Sequence, residues 1–233
     1  MHPFVSYYRT GDELKCVNYC VVSDCLQHNR TAVHAFISAM IDKLKIVLNA
    51  LGKLIYFSDG AASQYKNYKN FINLCYYEKD FGVPAEWNFF ATSHGKSPCD
   101  GISGTVKRLV ARASLQAATS GQILTPKEFY CWAEAHITGI TFLYISSADI
   151  EEHEKKFNLV EHYASVNTIH GTRSHHAFVP ISQSSMKIKR ISSDDIHSII
   201  TLCQAPPCAL QSAGNRENDY QPGMYVACIY DNC

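Results

Sequence analysis

Two aspartates and their neighbours are the side chains of this 233-residue sequence best suited to chemistry. Asp59 stands between Ser58 and Gly60, directly after the apolar run Lys53-Leu54-Ile55-Tyr56-Phe57. A carboxylate at the end of such a strand sits where ligand crevices form in open α/β sheets. Asp100 lies in Ser93-His94-Gly95-Lys96-Ser97-Pro98-Cys99-Asp100-Gly101, in the first turn of a helix that follows the next strand. From there it can face the same crevice. Hard divalent cations take one or two carboxylates and keep several waters. Mg2+ or Mn2+ held by Asp59 and Asp100 would activate a nucleophile and stabilise the leaving oxygen of a phosphodiester. His94, Gly95 and Lys96 supply a hydrogen-bond donor, a close backbone approach and a positive charge, which together suit a phosphate. Both aspartates have structural readings too. Asp-Gly is a common turn pair, and Ser97-Pro98-Cys99-Asp100 is a capping pattern.

Lys107, Arg108 and Arg112 form a basic stripe along the helix after Asp100, and Lys66 and Lys69 add charge near Asp59. Such side chains at a crevice suit the phosphate backbone of DNA; they equally make an ordinary solvated helix face. Cys16, Cys20, Cys25 and His28 are spaced unlike any common structural zinc site. Cys16 and Cys20 share one face of a strand, where cysteine packs as a small hydrophobe, so no zinc is expected. Asp24 is a conceivable further acid, with capping of the turn before Thr31 as its expected role.

The elements that must position these residues follow from periodicity. Residues 2–8 and 14–23 are β-branched and aromatic runs around Arg9-Thr10-Gly11-Asp12-Glu13, a hairpin. From Thr31, apolar residues recur at three and four as far as Leu51, a helix stopped by Gly52. A strand over 53–57, a helix around 63–78 and a strand over 86–92 come next. A helix then runs from Pro98 to about Leu115. Thr125-Pro126-Lys127-Glu128 opens a helix to about His136. Thr141 to Ile145 reads as a strand, and a charged helix extends from Ser146 to about Ala164. Beyond it the pattern weakens, with a short helix over 193–202. Residues 204–222, rich in proline, glycine and polar side chains, read as a linker between a main domain at 1–203 and a last strand-like segment at 223–233.

Composition sets the frame. Twenty-one basic residues balance twenty-one acidic ones, 46% of residues are hydrophobic and 12% are aromatic. That excludes a disordered chain and leaves a neutral protein whose basic face, if it has one, is local. No run approaches the roughly 20 apolar residues of a membrane span, and the start MHPFVSYYRTGDE has no secretory signature. Ten cysteines in a chain of this kind read as reduced thiols.

A hairpin followed by strand–helix alternation argues a mixed α/β sheet with helices on both faces. Tyr56-Phe57-Ser58-Asp59-Gly60-Ala61-Ala62-Ser63-Gln64-Tyr65-Lys66-Asn67, with Glu86 to Lys96 and Cys99-Asp100-Gly101, resembles a family of transposon-derived animal proteins. Their core is of the DDE-type, ribonuclease-H-like integrase class. The resemblance covers roughly residues 1–200. It implies a Mg2+-dependent DNA-cutting and joining ancestor, with Asp59 and Asp100 as second and third metal carboxylates. By the same resemblance His94 and Lys96 contact phosphate, and Lys66, Lys107, Arg108 and Arg112 contact DNA in a nuclear setting. Related proteins carry glycine where Ser97 and Ser103 stand, and an acidic first strand ahead of the segment that matches His2-Pro3-Phe4-Val5. On this reading the sheet lacks its first strand, which belongs between the hairpin's second strand and the first parallel one. Catalysis is then lost, and the chain is a truncated, inactive relic, a recruited DNA- or protein-binding scaffold, or a gene fragment. Tyr225 to Asp231 is similar to the opening of a small SH3- or Tudor-like barrel.

Overall fold

The computed structural model describes residues 1–27, 29–48, 50–90, 97–164, 166–167, 169 and 171–203, and the backbone of 225–230. Its centre is a mixed sheet of nine strands, in the order β5-β2-β1-β9-β3-β4-β6-β7-β8.

The hairpin forms as its sequence predicts, with β1 (His2–Thr10) antiparallel to β2 (Glu13–Val22). Gly11, at φ 60, makes the turn, a left-handed conformation that glycine adopts without a Cβ penalty. Alternation along β2 then dictates the layers. Tyr19 and Val21 face the larger core, while Cys20 and Val22 face a second, smaller one. A period of two sends neighbouring residues to opposite faces of the sheet.

The first face is covered by α1 (Arg30–Val47) and α2 (Tyr68–Phe81), joined later by α5 (Ser147–Lys156) and α6 (Leu159–Ala164). Asn29 caps α1 by accepting from the Thr31 and Ala32 N–H groups, and Phe36, Ile37, Met40, Ile41 and Leu44 are its buried stripe. The second face carries α3 (Pro98–Gln116) and α4 (Pro126–His136), packed mainly on β1, β9, β2 and β5 (Thr141–Tyr144).

β3 (Lys53–Ser58) and β4 (Ala85–Phe89) are parallel neighbours. Leu54, Tyr56 and Trp87 are fully buried against α2, with Tyr56 edge-on to Tyr77 at 5.8 Å. β6 (Ala177–Ser182), β7 (Ser185–Lys189) and β8 (Ser198–Thr201) extend the sheet as an antiparallel meander beyond β4.

Several expectations are corrected. The last strand, β9 (Tyr225–Tyr230), does not open a barrel. It lies in the middle of the sheet, antiparallel to β1 and parallel to β3, and no closed barrel occurs among the described residues. The slot it fills is bounded by the hairpin's first strand, not its second. Segment 193–202 forms turns and β8 instead of a helix, because Ile199 and Ile200 complete a ladder with Lys187 and Met186. The helix expected up to Ala164 breaks at Asn158, the one described non-glycine residue with positive φ. α1 ends at Val47, where Leu48 turns extended, so Gly52 is not its stop. α2 begins only at Tyr68; residues 62–67 are turns and bends.

Candidate functional site

The carboxyl ends of β3 and β4 gather the residues of interest. Ser58 is buried; its Oγ accepts from Trp87 Nε1 at 2.9 Å and donates to the Asp59 carbonyl at 2.8 Å. Trp87 is held in turn between Tyr56 and Tyr65, with ring centroids at 4.9 and 5.9 Å. The strand end that presents Asp59 is thus fixed from below by aromatic packing. Asp59 is half-buried, and its Oδ1 accepts from the Ala61 N–H at 3.2 Å. The Ala61 carbonyl accepts from the N–H groups of Gln64, Tyr65 and Lys66. Asn67 then caps α2 by accepting from the Asn70 N–H, while its amide donates to the Ala62 carbonyl. Serine, aspartate, glycine and asparagine recur in this stretch because each satisfies a backbone group that a tight strand-to-helix turn exposes.

Lys66 folds back over this turn. Its Cδ is 3.5 Å from where a Cβ on Gly60 would sit, an ordinary van der Waals distance. The ammonium stands 5.3 Å over the Phe89 ring and donates to the Arg173 carbonyl at 3.4 Å. Burial lowers the Lys66 pKa from its ordinary value. Gln64 is completely buried, and neither its amide oxygen nor its nitrogen has a hydrogen-bond partner.

Asp100 is the third position after the Ser97 N-cap of α3. Its Oδ2 accepts from the Ser97 N–H at 3.0 Å, while Ser97 Oγ accepts from the Cys99 N–H at 3.2 Å. That is the capping reading of the sequence. Lys107, Arg108 and Arg112 are exposed on α3, and among the described residues Arg108 reaches Thr105 Oγ1, at 3.5 Å. The stripe is therefore open to an anionic partner. Lys69 lies over the rings of Tyr68 and Tyr163. His94 and Lys96 lie outside the described residues, as does His28.

Asp24 does not cap the turn before Thr31, since Asn29 does that. Its Oδ1 accepts from the N–H and hydroxyl of Ser147, at 2.7 and 2.8 Å, and its Oδ2 from the Tyr144 hydroxyl at 3.0 Å. Those Ser147 hydrogen bonds hold its pKa below the ordinary carboxylate value, and they tether β2 to the start of α5.

Divalent-cation chemistry requires carboxylates that converge with free lone pairs. Asp59 and Asp100 each give an oxygen to a backbone N–H. No three His, Cys, Asp or Glu side chains among the described residues are arranged to hold a metal ion. Cys16 and Cys25 point their thiols at Asn18 Oδ1 and the Gln27 carbonyl.

Sequence reasoning misses a hollow of about 520 Å3 on the sheet face opposite α2, lined by Phe57, Asn88, Phe90, Ser174, His176 and Arg190 among others. Phe57 is visible in the sequence only as a strand residue. Ser174, His176 and Arg190 come from the segment where periodicity fades.

No described helix is long and apolar enough to cross a membrane. A family model described as "Domain of unknown function (DUF8701)" matches residues 1–192. Neither a curated protein nor a solved structure matches the chain.

Proposed function

The chain belongs to the DUF8701 family, a domain of unknown function, and on that footing we propose that it binds nucleic acid without cutting it, on a ribonuclease-H-like sheet of transposase descent. One observation carries the reading. Across β2-β1-β9-β3-β4 the strands pair antiparallel, antiparallel, parallel and parallel. That order supports a ribonuclease-H-like reading in which β9 takes the place of the central first strand. Asp59 then ends the strand beside it, and α3 follows the next strand, as the fold requires of its second and third acids.

The site's details favour binding over hydrolysis. Asp59 and Asp100 are engaged in turn and cap hydrogen bonds, whereas Lys107, Arg108 and Arg112 stand in solvent. Lys66 adds a cation over the turn at Gly60. Phosphates would be met by these side chains, each contact releasing condensed counterions. A nuclear location goes with this role.

The test measures binding of a short DNA by the full chain across a salt series. Alanine at Lys107 and Arg108 should weaken binding and reduce the salt slope by about two, one for each lost phosphate contact. Alanine at Asp59 and Asp100 should leave affinity unchanged. Mg2+-dependent nicking of the same DNA by the wild-type chain would overturn the non-cutting reading.

A further inference from the structure

The hollow beyond Asp59 has a chemistry the basic stripe lacks. Phe57 and Asn88 are paired residues of β3 and β4, so they share the sheet face that turns away from α2. Phe90 continues that row, and its ring lies nearly parallel to that of Phe57, at 6.3 Å and 24°. Both phenylalanines are only half-buried. On this face α3 and α4 pack mainly over β1, β9, β2 and β5, so among the described helices none is packed mainly over the Phe57–Phe90 floor.

Polar groups stand around the floor. Arg190 is exposed at one wall, with Ser174 and Ser192 near it. His176 is fixed by three bonds: its N–H donates to the Lys189 carbonyl, its carbonyl accepts from the Phe89 N–H, and Nδ1 is 3.1 Å from the Phe89 carbonyl. A carbonyl only accepts, so Nδ1 carries the proton and Nε2 remains the ring's acceptor. A flat aromatic floor with one fixed acceptor and one guanidinium fork matches a planar heterocycle that has donors and acceptors at its edge. Base-on-aromatic stacking is sequence-tolerant, because every base offers a π face.

We propose that the hollow lined by Phe57, Phe90, His176 and Arg190 holds one unpaired nucleobase of a bound nucleic acid strand. The proposal rests on the nucleic-acid reading above and adds its substrate class, a strand with unpaired bases. A paired base in a duplex shows only its edges and cannot lie on this floor. The Arg173 carbonyl, which accepts from Lys66, is one residue from Ser174, so the phosphate-facing crevice and the base hollow share a wall.

The experiment compares two labelled oligomers of equal length and charge, oligothymidylate and its abasic counterpart, by fluorescence anisotropy with the full chain. The thymidylate strand should bind about tenfold tighter, the worth of one stacked base. Phe90→Leu should bring the two affinities together while leaving the abasic strand's affinity unchanged. Arg190→Gln, at an exposed position, checks the same ratio should Phe90→Leu fail to melt cooperatively. Equal affinities in the wild-type chain, with both weakened by alanine at Lys107 and Arg108, would overturn the base hollow and leave nucleic-acid binding intact. A full preference surviving in a folded Phe90→Leu or Arg190→Gln chain overturns it as well. No binding of either oligomer overturns the base hollow, and no binding of duplex DNA besides overturns both readings.

Discussion

His34 on α1 and His153 on α5 meet nitrogen to nitrogen, Nδ1 to Nε2 at 2.7 Å, inside the larger core. Asp80 Oδ2 lies 3.5 Å from the other nitrogen of His34, within ion-pair reach but off hydrogen-bond geometry. Phe81 and Phe157 pack against the His34 ring at 4.8 and 5.3 Å. With Nε2–H of His34 turned to the carboxylate, Nδ1 must accept, and His153 Nε2–H donates to it. The pair works while both rings are neutral.

Acid should therefore loosen the α1–α2–α5 layer. Burial lowers both histidine pKa values, that of His153 to about 3, with the neighbouring His34 and Lys156 acting in the same direction and Asp80 partly opposing the shift of His34. The folded pKa values lie below the unfolded value of about 6.5, so the unfolded chain binds more protons between those limits. Stability is full above pH 6.5 and falls as pH drops towards 3. From His153 alone the loss between pH 7 and pH 4 is on the order of 3 kcal/mol, or roughly 6–12 °C in Tm for a chain of this size. His153→Gln should flatten that dependence; a Tm profile identical to wild type would contradict it.

The N-cap of α3 should be worth more to folding than to binding. Ser97→Ala removes the acceptor of the Cys99 N–H and should cost about 1 kcal/mol in urea unfolding. DNA affinity should not change. A folded Ser97→Ala chain with sharply weaker DNA binding would instead place this helix start in contact with the ligand.

Trp87 should report on the strand end that carries Asp59. Trp87→Phe keeps an aromatic ring beside Tyr56 but removes the donor to Ser58 Oγ, a loss of about 1–2 kcal/mol. Trp87→Ala opens a cavity in a fully buried position and should cost about 3–5 kcal/mol. Chemical denaturation of the two variants measures the difference.

β9 should be indispensable to the sheet. Ala227 pairs with Tyr7 on one side and Ile55 on the other. Proline there removes a ladder donor from an interior strand, and a destabilisation on the order of 3 kcal/mol is expected. Unchanged thermal melting of Ala227→Pro would show that this strand lies elsewhere in solution.

What the sequence made legible, and what it hid, follows from the range of the forces involved. The hairpin and α1 are written locally: alternation in VSYY and CVNYCVV, and the three-four spacing from Val33 to Leu44, are enough. Ser97 and Asp100 were equally readable as a cap, because a capping box closes within four residues. The β6–β8 meander was not, since Phe178 earns its burial from Phe71 and Phe89, far away in sequence. The place of β9 was hidden for the same reason: no local pattern says which edges a strand will join. The hollow over Phe57 was invisible because its lining comes from four separate segments.

The position of β9 also shapes how the chain acquires its fold. β1 and β3 are synthesised early, yet the strand that unites them is made last among the described elements. Until then, two partial sheets must wait with facing edges unpaired. Such edges are templates for intermolecular pairing. Productive folding is thus a race between the arrival of β9 and the capture of those edges by other chains.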